Sequence, residues 1–200
     1  AVDAAIATGF ALAVTYPSAG NIGGGGFMLV HPNDGRDPAF VDYREKAPLA
    51  STEDMYIDGG SRKNHRWVGV PGTVAGFVLA HEQFGTLPWE DLVMPSVRLA
   101  EDGFVLKSLA QGLNRAVERS ENDEFKRVYG KGGGTQLWQA SDRLVLSDLG
   151  STLRRIARWG NDGFYVGETA DLLVTEMVRG DGYITQNDLS SYAAVIREPI

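Results

Sequence analysis

Apolar residues crowd the first sixteen positions, AVDAAIATGFALAVTY, and fall on most sides of a helical wheel. A helix that is apolar nearly all round is a buried one, and its small alanines permit close approach to a sheet. Tyr16-Pro17 ends it, because the residue before a proline avoids the helical region. A glycine stretch follows, and then FMLVH (27–31) reads as a short buried strand. PNDGRD (32–37) carries an Asn-Asp-Gly turn signature. AFVDYRE (39–45) alternates as a returning strand. Residues 27–45 are therefore predicted to form a β-hairpin behind a buried helix.

The pattern changes after Ala47. APLASTEDMYIDGGSRKNHRW is polar and turn-rich, which places it on the surface. Pro71 is suited to the first position of a helix over GTVAGFVLAHEQFG, with Gly85 as its stop. PWEDLVMPSVRLAEDG (88–103) predicts a second helix, kinked or restarted near Pro95. Residues 107–129 suggest a third and a fourth, and KGGGTQLW (131–138) breaks them. SDLGSTLRRIARWG (147–160) reads as a helix capped by Ser147 and stopped by Gly160, and ADLLVTEMVRG (170–180) follows the same rule. Thr185 and Asp188 stand at capping-box spacing. The final YAAVIREPI opens a strand. There are no repeats and no linker that divides the chain, so residues 1–200 are treated as one region. The fold class expected from these elements is α/β or α+β.

Composition narrows the functions. The 200 residues are 43% hydrophobic and 22% charged, the balance of a globular protein. The formal net charge of −7 argues against nucleic acid, whose phosphates need clustered Lys and Arg. No apolar run reaches the ~18 residues of a membrane span, and no basic-then-apolar signal-peptide pattern occurs in these residues. With no cysteine, disulfides, thiolate metal sites and a cysteine nucleophile are excluded. His31, His65 and His81 are scattered and lack the spacing of a zinc pair. The first helix lacks a capping residue and the last strand does not finish, so both ends are expected to be cut from a longer protein.

The stretch PSAGNIGGGGFMLV holds five glycines, four of them consecutive. A phosphate-binding loop needs Lys and Ser/Thr after its last glycine, and Phe27 and Met28 stand there instead. No register of Gly20, Gly23, Gly24, Gly25 and Gly26 gives the dinucleotide spacing. The loop also follows a helix rather than opening one, which removes the helix-dipole argument for phosphate. A steric role remains. The loop is either a tight helix-to-strand connection or a surface pressed against a substrate or a second chain.

Among candidate side chains, Arg44 in VDYREKAP is the most informative. Its planar fork suits a carboxylate. On a strand Asp42 and Arg44 share one face and Glu45 lies on the other. From the residues alone, a surface ion pair of little energetic weight is the simpler reading. Ser18 lacks the glycine pattern of a nucleophile elbow. Glu53/Asp54 and Glu90/Asp91 suit helix or loop starts, His81 belongs on a helix, and Trp67, Trp89, Trp138 and Trp159 read as packing anchors. No nucleophile stands out.

The segments AVDAAIATGFALAVTYPSAGNIGGGGFMLV, VDYREKAP…DMY and GVPGTVAGF resemble, in order, the large subunit of γ-glutamyltranspeptidases. PSVRLAEDGF, GFYVGETADLLVTEM and GYITQNDLSSYAAVIREPI continue the resemblance to the end. It implies an α+β fold with a largely helical second half, part of the four-layer αββα sandwich of N-terminal-nucleophile hydrolases. It also implies a self-cleaving precursor, with the nucleophile an N-terminal threonine on a separate small subunit that is the partner of this region. That threonine attacks the γ-glutamyl carbonyl of glutathione or a related amide, and the acyl group passes to water, an amino acid or a peptide. No metal or organic cofactor is implied, and no catalytic residue falls within this chain. By the same resemblance Arg44 pairs with the substrate α-carboxylate, which reverses the surface-pair reading, and Glu45 orients Arg44. The glycine loop would let the first helix, the sheet and the partner pack beside the site. Periplasmic or secreted placement is implied as well. Relatives that act on cephalosporin side chains or poly-γ-glutamate, and a non-catalytic assembly role, are the alternatives.

Overall fold

The structure is a computed structural model and describes residues 1–57 and 64–199. Helix α1 (Val2–Thr15) buries Asp3, Ile6, Phe10, Ala13 and Val14, a stripe at helical spacing. It is not buried all round: Ala4, Ala5 and Thr8 are exposed, and Leu12 is 45% exposed. Tyr16 closes it, its N–H bonding to the Leu12 carbonyl at 2.9 Å.

Strands β1 (Phe27–Val30) and β2 (Ala39–Asp42) form the expected antiparallel hairpin, with Phe27 opposite Asp42 and Val30 opposite Ala39. The last strand, β5 (Val195–Arg197), adds to the other edge of β2, pairing Phe40 with Arg197 and Asp42 with Val195. This makes a three-stranded sheet in the order β1-β2-β5. One face packs inward through Val41, which is fully buried, beside Met28. The other face carries Phe27 (54% exposed), Leu29 (65% exposed) and Phe40, whose ring stacks on Phe27 at 5.2 Å. The strand FMLV is thus buried on one side only, and an apolar sheet face is open.

Helices make up the second half: α2 (Thr73–Phe84), α3 (Trp89–Glu101), α4 (Leu109–Arg119), α5 (Asp123–Tyr129), α6 (Ser147–Trp159), α7 (Asp162–Tyr165), α8 (Gly167–Arg179) and α9 (Gln186–Ser190). A two-stranded ribbon, β3 (Phe104–Val105) with β4 (Arg143–Leu144), joins them. One core cluster runs from Ile6 to Leu189. At its centre Phe10 meets Phe77 and Trp89 edge-on at 5.1 and 5.7 Å. Gly9 admits the Phe77 ring, which a Cβ there would approach to 2.5 Å.

Several boundaries differ from expectation for identifiable reasons. Helix α3 runs unbroken through Pro95, because Pro95 and the Asp91 carbonyl it deprives of a partner lie on the solvent side. Helix α2 begins at Thr73, after Pro71 and Gly72. Ser147 makes no side-chain cap and is itself the first residue of α6, whereas Gly160 stops that helix at φ +56°. The single turn α7 carried no periodicity signal. The box at Thr185 and Asp188 forms as expected, with Thr185 N–H and hydroxyl donating to Asp188 at 2.7 and 2.5 Å.

Candidate functional site

Strand β2 ends at Asp42, earlier than the predicted Glu45, so strand alternation does not govern Arg44 and Glu45. Their side chains meet instead: Arg44 Nη1 lies 2.7 Å from Glu45 Oε2. The Arg44 side chain is 58% exposed and that of Glu45 28%. Glu45 Oε2 is buried and has no aligned hydrogen-bond donor, so its contact with Arg44 is an ion pair rather than a directed bond. Among the described residues no side chain makes an aligned hydrogen bond to the Arg44 guanidinium, and its exposure leaves it accessible. Asp42, read from sequence as a companion of Arg44, holds the Arg44 main chain and the Arg197 side chain and makes no bond to the Arg44 side chain. It accepts the Arg44 N–H at 3.1 Å through one oxygen and Arg197 Nε at 2.6 Å through the other. The Arg197 contact first, and the Arg44 N–H second, hold the Asp42 carboxyl below the usual carboxylate range.

The glycine stretch lies under this point. Gly26 and Tyr43 exchange backbone hydrogen bonds at 3.2 and 3.0 Å and so extend the β1–β2 ladder. A Cβ on Gly25 would lie 2.3 Å from the Tyr43 carbonyl oxygen, 2.8 Å from Glu45 N and 3.0 Å from the Arg44 carbonyl carbon. One on Gly20 would lie 2.0 Å from the Leu12 carbonyl oxygen. Gly20 and Gly23–Gly26 are absent from the glycines with positive φ. For Gly20 and Gly25 the reason is therefore close approach of main chain and not left-handed backbone, whereas a Cβ on Gly23 would meet nothing within 4 Å. The Gly24 carbonyl also accepts the N–H groups of Gly72 and Thr73 at 2.8 and 3.0 Å. It caps α2 in place of a side chain, which Gly72 cannot supply.

The segment after Arg44 is joined to the end of α9 by three bonds. Tyr192 Oη donates to the Arg44 carbonyl at 2.8 Å, Lys46 Nζ to the Ala193 carbonyl at 2.9 Å, and Leu49 N–H to Asp188 at 2.6 Å. Burial, with the charges of Asp42 and Glu45 adding to it, pushes the Tyr192 hydroxyl up to about 12. It is therefore a protonated donor at neutral pH.

The other candidates lie elsewhere. Ser18 lines a cleft of about 240 Å³ with Leu109, Leu113 and Phe125, which Arg44 does not line. Asp54 accepts the Thr52 hydroxyl in a loop, and Glu90 and Asp91 sit in the first turn of α3. His81 Nε2 lies 2.8 Å from the Leu87 carbonyl, a link between helix and loop. Trp89 and Trp138 are anchors, their indole N–H groups bonding the Ile156 and Tyr129 carbonyls. Trp67 and Trp159 are exposed, contrary to expectation. Part of the predicted surface run, residues 58–63, lies outside the described residues.

Residues 1–200 match the family model described as gamma-glutamyltranspeptidase. The chain belongs to the γ-glutamyltranspeptidase family. It is 48% identical over 204 residues to the glutathione hydrolase proenzyme of Pseudomonas sp. (strain A14), covering 96% of this chain and 35% of that protein. It is 43% identical over 212 residues to the glutathione hydrolase proenzyme of Escherichia coli (strain K12), covering 100% and 36%. The crystal structure of Helicobacter pylori γ-glutamyltranspeptidase superposes with a TM-score of 0.93 at 40% identity, over 100% of this chain and 59% of that one. The chain thus spans about a third of the length of the curated relatives it matches. Its mixed helix-and-sheet fold is that of the N-terminal-nucleophile hydrolases. Among the described residues no helix is long and apolar enough to cross a membrane.

Sequence reasoning missed Tyr192, Lys46 and Gly72 at this site. Tyr192 stands 148 positions from Arg44, and although it lies in the segment GYITQNDLSSYAAVIREPI that carries the family resemblance, nothing local links it to Arg44. Gly69, Gly72 and Gly76 all lie where a side chain would collide with Tyr43, Glu45 or Tyr192, a requirement that only the folded structure shows.

Proposed function

We propose that this chain is the large-subunit portion of a γ-glutamyl transferase and glutathione hydrolase, and that Arg44 binds the α-carboxylate of the γ-glutamyl group. The observation that carries this reading is the state of Arg44. Its side chain is paired, among the described residues, with Glu45 alone and is 58% exposed, and the backbone beneath is bonded at both its N–H and its carbonyl. A fork held in this way can grip a carboxylate by two parallel bonds. Gripping the far end of the substrate aims its γ-carbonyl at a nucleophile. Glu45 selects the Arg44 rotamer. The nucleophile in this reading is the N-terminal threonine of a small subunit, whose own α-amino group serves as base. The acyl group leaves to water or to an amino-acid or peptide amine. The open sheet face of Phe27, Leu29 and Phe40 is the surface on which the second sheet of the αββα sandwich would pack. A periplasmic or secreted location accompanies this reading.

The test is Arg44→Ala in the complete enzyme. Loss of a charge-assisted bidentate contact costs about 2–5 kcal/mol, read in kcat/KM for a γ-glutamyl anilide and mainly through KM. Unchanged Michaelis–Menten parameters would remove Arg44 from the substrate site and the reading with it.

A further inference from the structure

The peptide group between Arg44 and Glu45 is clamped from two directions. Gly25 approaches so closely that a Cβ there would lie 2.8 Å from Glu45 N and 3.0 Å from the Arg44 carbonyl carbon. The Tyr192 hydroxyl donates to the Arg44 carbonyl oxygen at 2.8 Å. This peptide joins the two members of the Arg44–Glu45 ion pair, so its orientation sets where both side chains start.

Tyr192 is itself fixed. Its ring stacks on Tyr165, with centroids 5.7 Å apart and planes 4° from parallel. Tyr165 is rooted in the start of α2: its hydroxyl donates to the Pro71 carbonyl at 2.8 Å and accepts the Ala75 N–H at 3.3 Å. Lys46 Nζ lies 5.0 Å from the Tyr192 ring centroid. Gly72 leaves bare backbone above the hydroxyl, where a Cβ would come within 2.1 Å of Tyr192 Oη. Ring packing needs none of this space around the oxygen. The hydroxyl has its own seat and a single protein acceptor among the described residues.

We propose that Tyr192 is a positioning residue for substrate binding: its hydroxyl, by holding the Arg44 carbonyl, sets the Arg44 fork for the substrate α-carboxylate. This rests on the reading of Arg44 given under Proposed function. The contribution of Tyr192 is passed entirely through Arg44, so it acts only on substrates that carry the carboxylate.

The test is Tyr192→Phe in the complete enzyme, which keeps the ring stack and the Lys46 contact and removes only the bond. Loss of one hydrogen bond corresponds to about a 3- to 10-fold change. KM for a γ-glutamyl anilide is expected to rise by that factor with kcat within about twofold. The kcat/KM for the same anilide with its α-carboxylate converted to a carboxamide should stay unchanged. Tyr192→Phe should also add nothing in an Arg44→Ala background. Equal losses on the two substrates would mark a general structural role and overturn the proposal. An unchanged KM in Tyr192→Phe, with Arg44→Ala impaired, overturns it while leaving the function of Arg44 intact. If Arg44→Ala is itself without effect, the underlying reading fails and this proposal with it. A Phe variant that does not fold also overturns it, since the fold is assigned to the ring and not the hydroxyl.

Discussion

Alanine at Gly25 tests whether backbone proximity, rather than glycine flexibility, is what the four-glycine run supplies. The new Cβ would sit 2.3 Å from the Tyr43 carbonyl oxygen, about an ångström inside ordinary van der Waals contact. The obstacle is main chain, which cannot rotate away as a side chain would. Relief requires the loop to separate from Tyr43, where Gly26 and Tyr43 exchange two hydrogen bonds at 3.0 and 3.2 Å. Overpacking against an unyielding neighbour costs about 1–3 kcal/mol, and two weakened hydrogen bonds add roughly 1–2 kcal/mol. Together they predict a loss of about 2–5 kcal/mol. Gly23, two positions earlier, has no atom within 4 Å of a Cβ and provides the matched control. The assay is scanning calorimetry of both variants in the complete protein at one scan rate, because unfolding of a large protein is often irreversible. At about 2–4 °C per kcal/mol, Gly25→Ala should melt at least ~4 °C below Gly23→Ala. It should also raise KM for a γ-glutamyl substrate, since Arg44 moves with Tyr43. A Gly25→Ala protein that matches Gly23→Ala in both readouts would refute the steric account of the loop.

Two further outcomes concern what holds the site from outside. Burial pushes the Asp188 carboxyl up, but bonds from the Thr185 hydroxyl and the Leu49 and Thr185 N–H groups outweigh it, and its folded pKa is lowered. Its share of stability is therefore complete above the unfolded value near ~3.9 and is lost as pH falls through the folded value. Asp188→Asn should lower the melting temperature at pH 7 by the equivalent of about 1–3 kcal/mol, and the gap from wild type should narrow below about pH 4; a constant gap would contradict this. Tyr165→Phe removes the donor to the buried Pro71 carbonyl and the acceptor of the Ala75 N–H. It should destabilise the protein by about 1–3 kcal/mol in chemical denaturation, and a change under 0.5 kcal/mol would show that the hydroxyl is dispensable to the α2 terminus.

The hairpin, the stops at Tyr16 and Gly160 and the capping box at Thr185 were legible because each rests on neighbours in sequence. Asn-Asp-Gly, Tyr-Pro and Thr-x-x-Asp act over two to four residues, and such signals survive without knowledge of the fold. Burial was less legible. The periodicity of α1 and of FMLV reports that apolar residues face several directions, but not which face is covered, so Leu12 and Leu29 were placed inside and lie outside. Pro95 misled for the same reason, since its tolerance depends on facing water. At the site, the residue type of Arg44 was informative and its surroundings were not. The main chain around Arg44 is held by residues remote in sequence, with Gly25 packed against it on one side and Tyr192, just after α9, bonded to it from the other.

The energetics of Arg44 explain why so many contacts fall on its main chain. An ion pair with a side chain 58% exposed is screened by water and is worth at most about 1 kcal/mol. That is too little to confine a long, rotamer-rich side chain whose ordering opposes it by a comparable amount. Coulomb attraction to Glu45 therefore cannot define the fork by itself. The backbone can: Asp42 holds the Arg44 N–H, Tyr192 its carbonyl, and the Gly25 main chain packs closely against the same peptide. With the Cα fixed, Glu45 has only to choose among a few staggered rotamers, a task within the reach of a weak pair. The exposed guanidinium then meets a carboxylate at little further ordering cost. Exposure, which weakens the resting ion pair, is also what leaves the fork accessible. A fully buried arginine would need stronger permanent partners, and those partners would compete with the substrate for the same donors.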